Sequence, residues 1–80
     1  MSLKLHIITP EGPLAEASAI SVALPGVVSP FVVLKDHAPI ITSLVPGEVV
    51  YVDSEGEHRV SVGGGFVEVL DNVVTVCVER

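Results

Sequence analysis

Hydrophobic and polar residues alternate along much of this chain. In segment 3–7 the odd positions are aliphatic, whereas the even positions hold Lys4 and His6. The same period of two recurs in segments 20–24 and 57–62. Because successive side chains of a β-strand point to opposite faces, this period predicts strands that each have one buried face.

Turn-forming residues separate several of these segments. Asp71-Asn72 follows the apolar segment 66–70 and precedes a second apolar segment, 73–78. Asp, Asn and Gly favour tight turns, since they accept left-handed backbone angles or bond their own backbone. The pattern therefore predicts a β-hairpin at this point. A second hairpin is predicted with its strands at 48–52 and 58–62 and its connection at 53–57.

The composition supports a fold made of strands. Seven Gly and six Pro interrupt the chain so often that few segments could hold a three-turn helix. Twenty-five of the eighty residues are β-branched, which favours a pleated surface. With 49% hydrophobic residues and only Phe31, Tyr51 and Phe66 as aromatics, we expect an aliphatic core. These features predict an all-β fold of eight or more short strands, either a two-sheet β-sandwich or a compact barrel, in a single domain over residues 1–80.

Charge and cysteine content exclude several classes of protein. Four Lys and Arg against ten Asp and Glu give a formal charge of −6, which disfavours binding to nucleic acid. The single Cys77 excludes a disulfide framework and a cysteine zinc cluster. No apolar run reaches the roughly 20 residues of a membrane span, and His6 and Pro10 interrupt the start of the chain before a signal peptide's apolar region could form. We therefore expect a soluble intracellular domain.

Asp36-His37 is the pair that most resembles catalytic machinery. An acid beside an imidazole can in principle transfer a proton. Adjacent residues of an extended strand point to opposite faces, however, so the pair could act together only in a turn. No Ser or Cys nucleophile lies nearby in a recognisable setting. We therefore expect a loop or interface histidine.

Three other groups of residues have a structural explanation. Glu55, Glu57 and His58 could bind a metal ion, but solvated charges at an exposed turn are the expected role. Gly63-Gly64-Gly65 precedes a strand with a negative charge, so it indicates a bulge or a close backbone approach rather than a phosphate site. Cys77 is expected to be a small, buried or half-buried apolar residue.

The segment Pro25–Phe31 holds apolar residues between turn formers. Solvent gives no reason to keep apolar side chains at a loop tip, and such tips usually contact a partner. The sequence therefore predicts a protein-binding surface in this loop.

Five motifs follow one another in order along the chain. They are Thr9-Pro10-Glu11-Gly12, then Leu24-Pro25-Gly26, then Phe31-x-Val33-Leu34-x-x-His37-Ala38-Pro39-Ile40-Ile41-Thr42 with Leu44-x-Pro46-Gly47, then Val62-x-Gly64-Gly65-Phe66-Val67-Glu68-Val69, and Asn72-x-Val74-Thr75-Val76. Their order and spacing are similar to the N-terminal β-sandwich domain of the epsilon subunit of F-type ATP synthase. The resemblance covers essentially all eighty residues.

The resemblance implies a ten-stranded sandwich without catalytic residues, cofactor or metal ion. It implies a rotor component of the central stalk that binds the gamma subunit and the membrane c-ring, and so transmits ring rotation to the catalytic head in proton-driven ATP synthesis. It also implies a peripheral position on the cytoplasmic face of the bacterial inner membrane, with no membrane insertion and no bound nucleotide. The expected c-ring contacts are Gly26, Val27, Val28, Ser29, Pro30 and Phe31, and the expected gamma contacts are Thr9, His37, Ala38, Pro39, Thr42 and Ser43.

This sequence departs from the family pattern in one loop. The family usually reads Gly-x-Phe-Gly-Val-Leu-Pro-Gly-His, whereas Ser29, Val32, Lys35 and Asp36 replace its two loop glycines, its proline and its third glycine. Pro30 stands where the family usually has an acidic residue.

The family normally continues with a C-terminal helical hairpin that restrains ATP hydrolysis and in some members binds ATP. This sequence stops at Arg80, so we expect no helical domain and carry over neither property. Two alternative functions stay open at this point. One is an unrelated small sandwich that acts as a binding or carrier module through an apolar pocket. The other is a small enzyme that pairs His37 with a carboxylate in a cleft.

Overall fold

Nine β-strands make up most of residues 2–80, which are the residues that the computed structural model describes. Most of the strands end next to or one residue before Gly, Pro, Asp or Ser, residues that favour turns. The strands are β1 (Leu3–Thr9), β2 (Gly12–Ala19), β3 (Ser21–Leu24), β4 (Phe31–Leu34), β5 (Ile40–Leu44), β6 (Gly47–Asp53), β7 (Gly56–Val62), β8 (Gly65–Leu70) and β9 (Val73–Val78).

The strands form two sheets. The five-stranded sheet has the order β2-β1-β9-β8-β5, and the four-stranded sheet has the order β4-β3-β6-β7. All pairs are antiparallel except β1 and β9, which run parallel in the middle of the five-stranded sheet. The all-β, two-sheet sandwich is confirmed, with nine strands among the described residues where about ten were expected. None of the described residues belongs to a helix that is long and apolar enough to cross a membrane.

The alternation along the strands produces the core between the sheets. In β1 the odd positions are buried and the even positions face outward, as the period of two predicted. Val, Leu and Ile dominate the interior, so the aliphatic core is confirmed as well. The buried apolar side chains are Leu3, Leu5, Ile7, Ala19, Val22, Leu24, Val33, Leu44, Val49, Tyr51, Val62, Val67, Val69, Val74, Val76 and Val78.

Both predicted hairpins are present. Leu70 pairs with Val73 across a two-residue turn, in which Asp71 and Asn72 have φ of 51° and 65°. Positive φ at both central residues is the geometry that matches the twist of a tight hairpin. The other hairpin is tighter than the predicted connection 53–57, since β6 extends through its last residue and pairs it with Gly56.

The three-glycine segment links the two sheets and confirms a close backbone approach. Gly65 has φ of 145°, and a Cβ atom there would collide with the carbonyl oxygen of Cys77 and lie 2.8 Å from Val78 Cα. Gly64 also has a positive φ, of 109°. Only glycine fits at position 65, because the backbone of β9 leaves no room there for a side chain.

Candidate partner-binding surfaces

The apolar loop between β3 and β4 has an exposed tip. Val28 is 93% exposed and Val27 is 55% exposed, and Ser29 and Pro30 are exposed beside them. The prediction of apolar side chains at a loop tip is therefore confirmed. We call Val27, Val28, Ser29 and Pro30 the apolar tip.

The base of this loop is braced against both sheets. The N–H of Val27 donates to the carbonyl of Ser43 at 3.0 Å, and the N–H of Val45 donates to the carbonyl of Pro25 at 2.9 Å. Gly26 is buried, and a Cβ atom at this residue would lie only 2.8 Å from the Phe31 ring. The six residues expected to contact the c-ring therefore divide into two groups, because buried Gly26 and half-buried Phe31 form the base under the apolar tip.

A second loop, residues 35–39, leaves the opposite end of β4. It crosses from the four-stranded sheet to β5, at the edge of the five-stranded sheet. It begins with a turn in which Asp36 has φ of 64° and the N–H of His37 donates to the carbonyl of Leu34 at 3.2 Å. Ala38 and Pro39 are exposed and His37 is half-buried. The crossover loop therefore holds three of the expected gamma contacts, at the far end of β4 from the apolar tip.

The other expected gamma contacts lie along the five-stranded sheet. Thr42 is half-buried and Ser43 is exposed on β5, between the two loops. Thr9 is buried, and its hydroxyl donates to the carbonyl of Gly12 at 3.0 Å, inside the β1–β2 turn. Lys4 lies beside the β8–β9 turn, close to the crossover loop. Because a strand rises about 3.3 Å per residue, Thr9 lies roughly 16 Å from Lys4 along β1. The structure thus brings His37, Ala38 and Pro39 together and places Thr9 at the other end.

An exposed apolar row on the outer face of the five-stranded sheet leads from Ser43 to the residue before Thr9. The register pairs Ser43 with Phe66, Phe66 with Cys77, and Cys77 with Ile8, the residue before Thr9. Phe66 is 50% exposed and Ile8 37% exposed. This row was not predicted from the sequence, although the large apolar side chain of Phe66 in a predicted strand was a signal for it.

The geometry does not support an acid–base pair at Asp36-His37. The carboxylate of Asp36 accepts from Nδ2 of Asn72 at 3.0 Å, and His37 Nδ1 lies 2.8 Å from the carbonyl of Ala38. The hydrogen bond from Asn72, aided by the nearby Lys35, holds the pKa of Asp36 below its ordinary value of 3.8. The acid therefore stays ionised and points to an amide, not to the imidazole.

Several charged side chains of the β6–β7 hairpin pair with one another. His58 Nε2 lies 2.9 Å from Asp53, and the His58 ring stacks on Tyr51 with a centroid separation of 4.9 Å. The contact with His58 is the largest cause that lowers the pKa of Asp53. Glu57 binds Arg59 instead of facing a metal ion. Within residues 2–80, no group of three His, Cys, Asp or Glu side chains has the arrangement of a metal site.

Sequence comparison identifies relatives over nearly the full chain. The family described as "ATP synthase, Delta/Epsilon chain, beta-sandwich domain" matches residues 2–80. The ATP synthase epsilon chain of Desulfosudis oleivorans is 44% identical over 79 residues, covering 98% of this chain and 59% of the relative. That of Anaeromyxobacter sp. (strain K) is 43% identical over 76 residues, covering 95% and 58%. The chain thus spans less than two thirds of the length of these curated relatives.

Solved structures share the fold. A chain in the cryo-EM structure of the Euglena gracilis mitochondrial ATP synthase, with OSCP, F1 and c-ring, superposes with a TM-score of 0.90 at 20% identity, covering 99% of this chain and 51% of that chain. A chain in the central stalk and c-ring structure of the Tetrahymena thermophila enzyme gives 0.80 at 17% identity, covering 100% and 65%. At such low identity the likeness establishes the sandwich fold alone.

Proposed function

Because this chain belongs to the family of ATP synthase delta and epsilon chains, through their β-sandwich domain, we propose that it is a non-catalytic rotor subunit of an F-type ATP synthase. It binds the gamma subunit and the c-ring in the central stalk and couples ring rotation to the catalytic head during proton-driven ATP synthesis. It sits peripherally at the cytoplasmic face of the bacterial inner membrane. It needs no cofactor or nucleotide for this role.

The observation that carries the proposal is the exposed apolar tip on a braced base. Val28 is almost fully exposed, yet the backbone beneath it is bonded to β5 and packed under Phe31. A contact that transmits torque needs a rigidly held loop, because a flexible loop would deform when the ring rotates instead of moving the domain. The tip carries no charge, so the c-ring contact would be apolar and polar rather than ionic.

The gamma contact is assigned to the crossover loop and to the outer face of the five-stranded sheet. The crossover loop presents His37, Ala38 and Pro39, and the apolar row leads from Ser43 towards Thr9. Thr42 supports this edge from its half-buried position. Permanent interfaces are commonly apolar, which suits a row that includes Phe66 and Ile8. The crossover loop lies at the opposite end of β4 from the apolar tip, whereas the row starts at Ser43, whose carbonyl accepts the hydrogen bond from Val27 of the tip. One stiff domain can therefore hold gamma through the crossover loop and the row while its tip meets the c-ring.

The test compares two substitutions that introduce the same charge. Val28→Asp places a carboxylate in the apolar tip, and Ile20→Asp does so at an exposed aliphatic residue beyond the opposite end of β3. With purified cognate gamma and c-ring, we expect the Val28 variant to weaken c-ring binding by about tenfold or more, since an interface that buries an unpaired carboxylate is destabilised. The Ile20 variant should bind as the unmodified chain does.

Two results would overturn the proposal. One is failure of the unmodified chain to capture cognate gamma in a pull-down. The other is equal loss of c-ring binding in the two variants, which would show that the tip has no special role. Folding of each variant is checked by circular dichroism, because both sites are exposed and neither change should unfold the domain.

A further inference from the structure

A side-chain tether joins the two sheets beside the crossover loop. The backbone N–H of Asp36 donates to Oδ1 of Asn72 at 2.6 Å, and Nδ2 of Asn72 donates back to Oδ1 of Asp36 at 3.0 Å. Asp36 follows β4 in the four-stranded sheet, and Asn72 lies in the β8–β9 turn of the five-stranded sheet. Within residues 2–80, no other side-chain hydrogen bond links residues 35–39 to the five-stranded sheet.

Asn72 is itself fixed from behind. Its carbonyl accepts a hydrogen bond from the N–H of Lys4 at 2.9 Å, so β1 holds the turn that carries it. Its φ of 65° is a conformation that Asn accepts more readily than most residues. The side chain of Asn72 therefore projects from a turn that β1 holds in place. We infer that Asn72 positions the crossover loop, and not that the loop positions Asn72.

Asp36 needs such a partner. The turn Leu34–His37 requires a left-handed residue at its third position, and Asp36 adopts φ of 64° there. Glycine is the usual residue for this conformation, since a side chain makes it less favourable. The paired hydrogen bonds with Asn72 satisfy both the amide and the carboxylate of Asp36 in that conformation, and the next three residues are His37, Ala38 and Pro39.

We propose that Asn72 is a positioning residue for gamma binding, which acts by holding Asp36 and thereby presenting His37, Ala38 and Pro39 to the gamma subunit. This inference rests on the proposed function, because gamma is the partner assigned to this loop. Asn72 itself lies beside the contact surface, in the shallow hollow lined by Asp36, His37, Pro39 and Asp71. Sequence reasoning could not find it, since the partners are separated by half the chain.

The test uses two alanine substitutions in the same turn. Asn72→Ala removes the tether, whereas Asp71→Ala alters a neighbouring residue with φ of 51° whose side chain makes no hydrogen bond with the loop. Both changes place Ala at a left-handed position, so they share that effect on the turn. We expect Asn72→Ala to weaken binding to purified cognate gamma by about five- to tenfold, from the loss of two hydrogen bonds, and Asp71→Ala to weaken it by less than about twofold.

A rescue variant separates positioning from general damage. Asp36→Gly, introduced together with Asn72→Ala, supplies a residue that adopts the left-handed turn without help. We expect the double variant to bind gamma within about threefold of the unmodified chain. NMR of the isolated chain gives an independent readout, because loss of the tether should change the amide shifts of residues 36–38 and raise the pKa of Asp36 towards 3.8.

The outcomes separate this inference from the proposed function. If the unmodified chain does not bind gamma, the proposed function fails, and the assigned role of Asn72 fails with it even if the NMR changes occur. Two results would overturn only the positioning role, given an unmodified chain that binds gamma. In one, Asn72→Ala binds gamma as well as the unmodified chain does. In the other, Asn72→Ala and Asp71→Ala weaken gamma binding to the same extent. Absence of rescue by Asp36→Gly would also contradict it, because the loop would then depend on Asn72 for another reason.

Discussion

Gly65→Ala should be among the most damaging single substitutions of this chain. Gly65 opens β8 with φ of 145°, and a Cβ atom there would collide with the carbonyl of Cys77 on β9. It would also lie 2.8 Å from Val78 Cα, well inside the 3.4 Å at which ordinary van der Waals contact begins. Both obstacles are backbone atoms, so relief requires the two strands to separate.

The magnitude has two parts. A non-glycine residue in this backbone region costs about 1–3 kcal/mol, and forcing an extra carbon into packed structure costs about 1–3 kcal/mol more. The expected loss of about 4 kcal/mol is close to the lower end of the total stability of a domain of this size, at roughly 0.05–0.15 kcal/mol per residue. In a domain of this size, each kcal/mol shifts the Tm by about 4–8 °C.

Gly56→Ala is the matched control for this substitution. Gly56 also has a positive φ, of 116°, but nothing lies within 4 Å of the position that a Cβ atom would take. Gly56→Ala should therefore lower the free energy of unfolding only by the cost of the backbone conformation, about 1–3 kcal/mol. Urea denaturation followed by circular dichroism gives both free energies of unfolding. If Gly65→Ala lowers the free energy of unfolding no more than Gly56→Ala does, the close approach of β8 and β9 does not exclude a side chain at position 65.

Two further predictions concern stability. Leu5→Ala, at a fully buried side chain, should lower the free energy of unfolding by about 2–5 kcal/mol. Ile41→Ala, at a side chain that is 75% exposed, should change it by less than about 0.5 kcal/mol. Equal losses of the two variants in urea denaturation would contradict the assigned core. His58 lowers the pKa of Asp53, so this contact stabilises the folded state above Asp53's ordinary pKa of 3.8, and the contribution is lost as the pH falls through the lowered value. Asp53→Asn should therefore flatten the fall of the urea midpoint below about pH 4, and an unchanged slope would show that this contact does not contribute.

The sequence predicted those parts of the fold that depend on near neighbours. The alternation in β1 and the Asp71-Asn72 turn are local properties, because strand faces and turn angles are set by adjacent residues. The pairing of β1 with β9 was not predicted, since it joins the two ends of the chain and the period of two is the same for any partner. The strand β2 was not assigned either, because its Ala and Ser residues give little contrast between faces.

The partner surfaces were also predicted only where they depend on residues close together in the sequence. Exposure of Val28 followed from apolar residues between turn formers, which is again a local signal. The base formed by Gly26 and Phe31 and the hydrogen bond of the Thr9 hydroxyl depend on contacts with other strands, so they could not be read from the motifs. The Asp36–Asn72 pair is the extreme case, because each residue alone looks like an ordinary turn former.

The parallel pairing of β1 with β9 has a consequence for biogenesis. Leu5 leaves the ribosome early, whereas its sheet neighbour Val74 is made near the end of this domain. Until β9 emerges, β1 and β2 lack their connection to β8 and β5, and the apolar face of β1 has no completed core to cover it. Chains with unpaired strand edges and exposed apolar surface aggregate readily. The domain should therefore fold in one late step after translation of Val78, which makes a nascent-chain chaperone most useful during that interval.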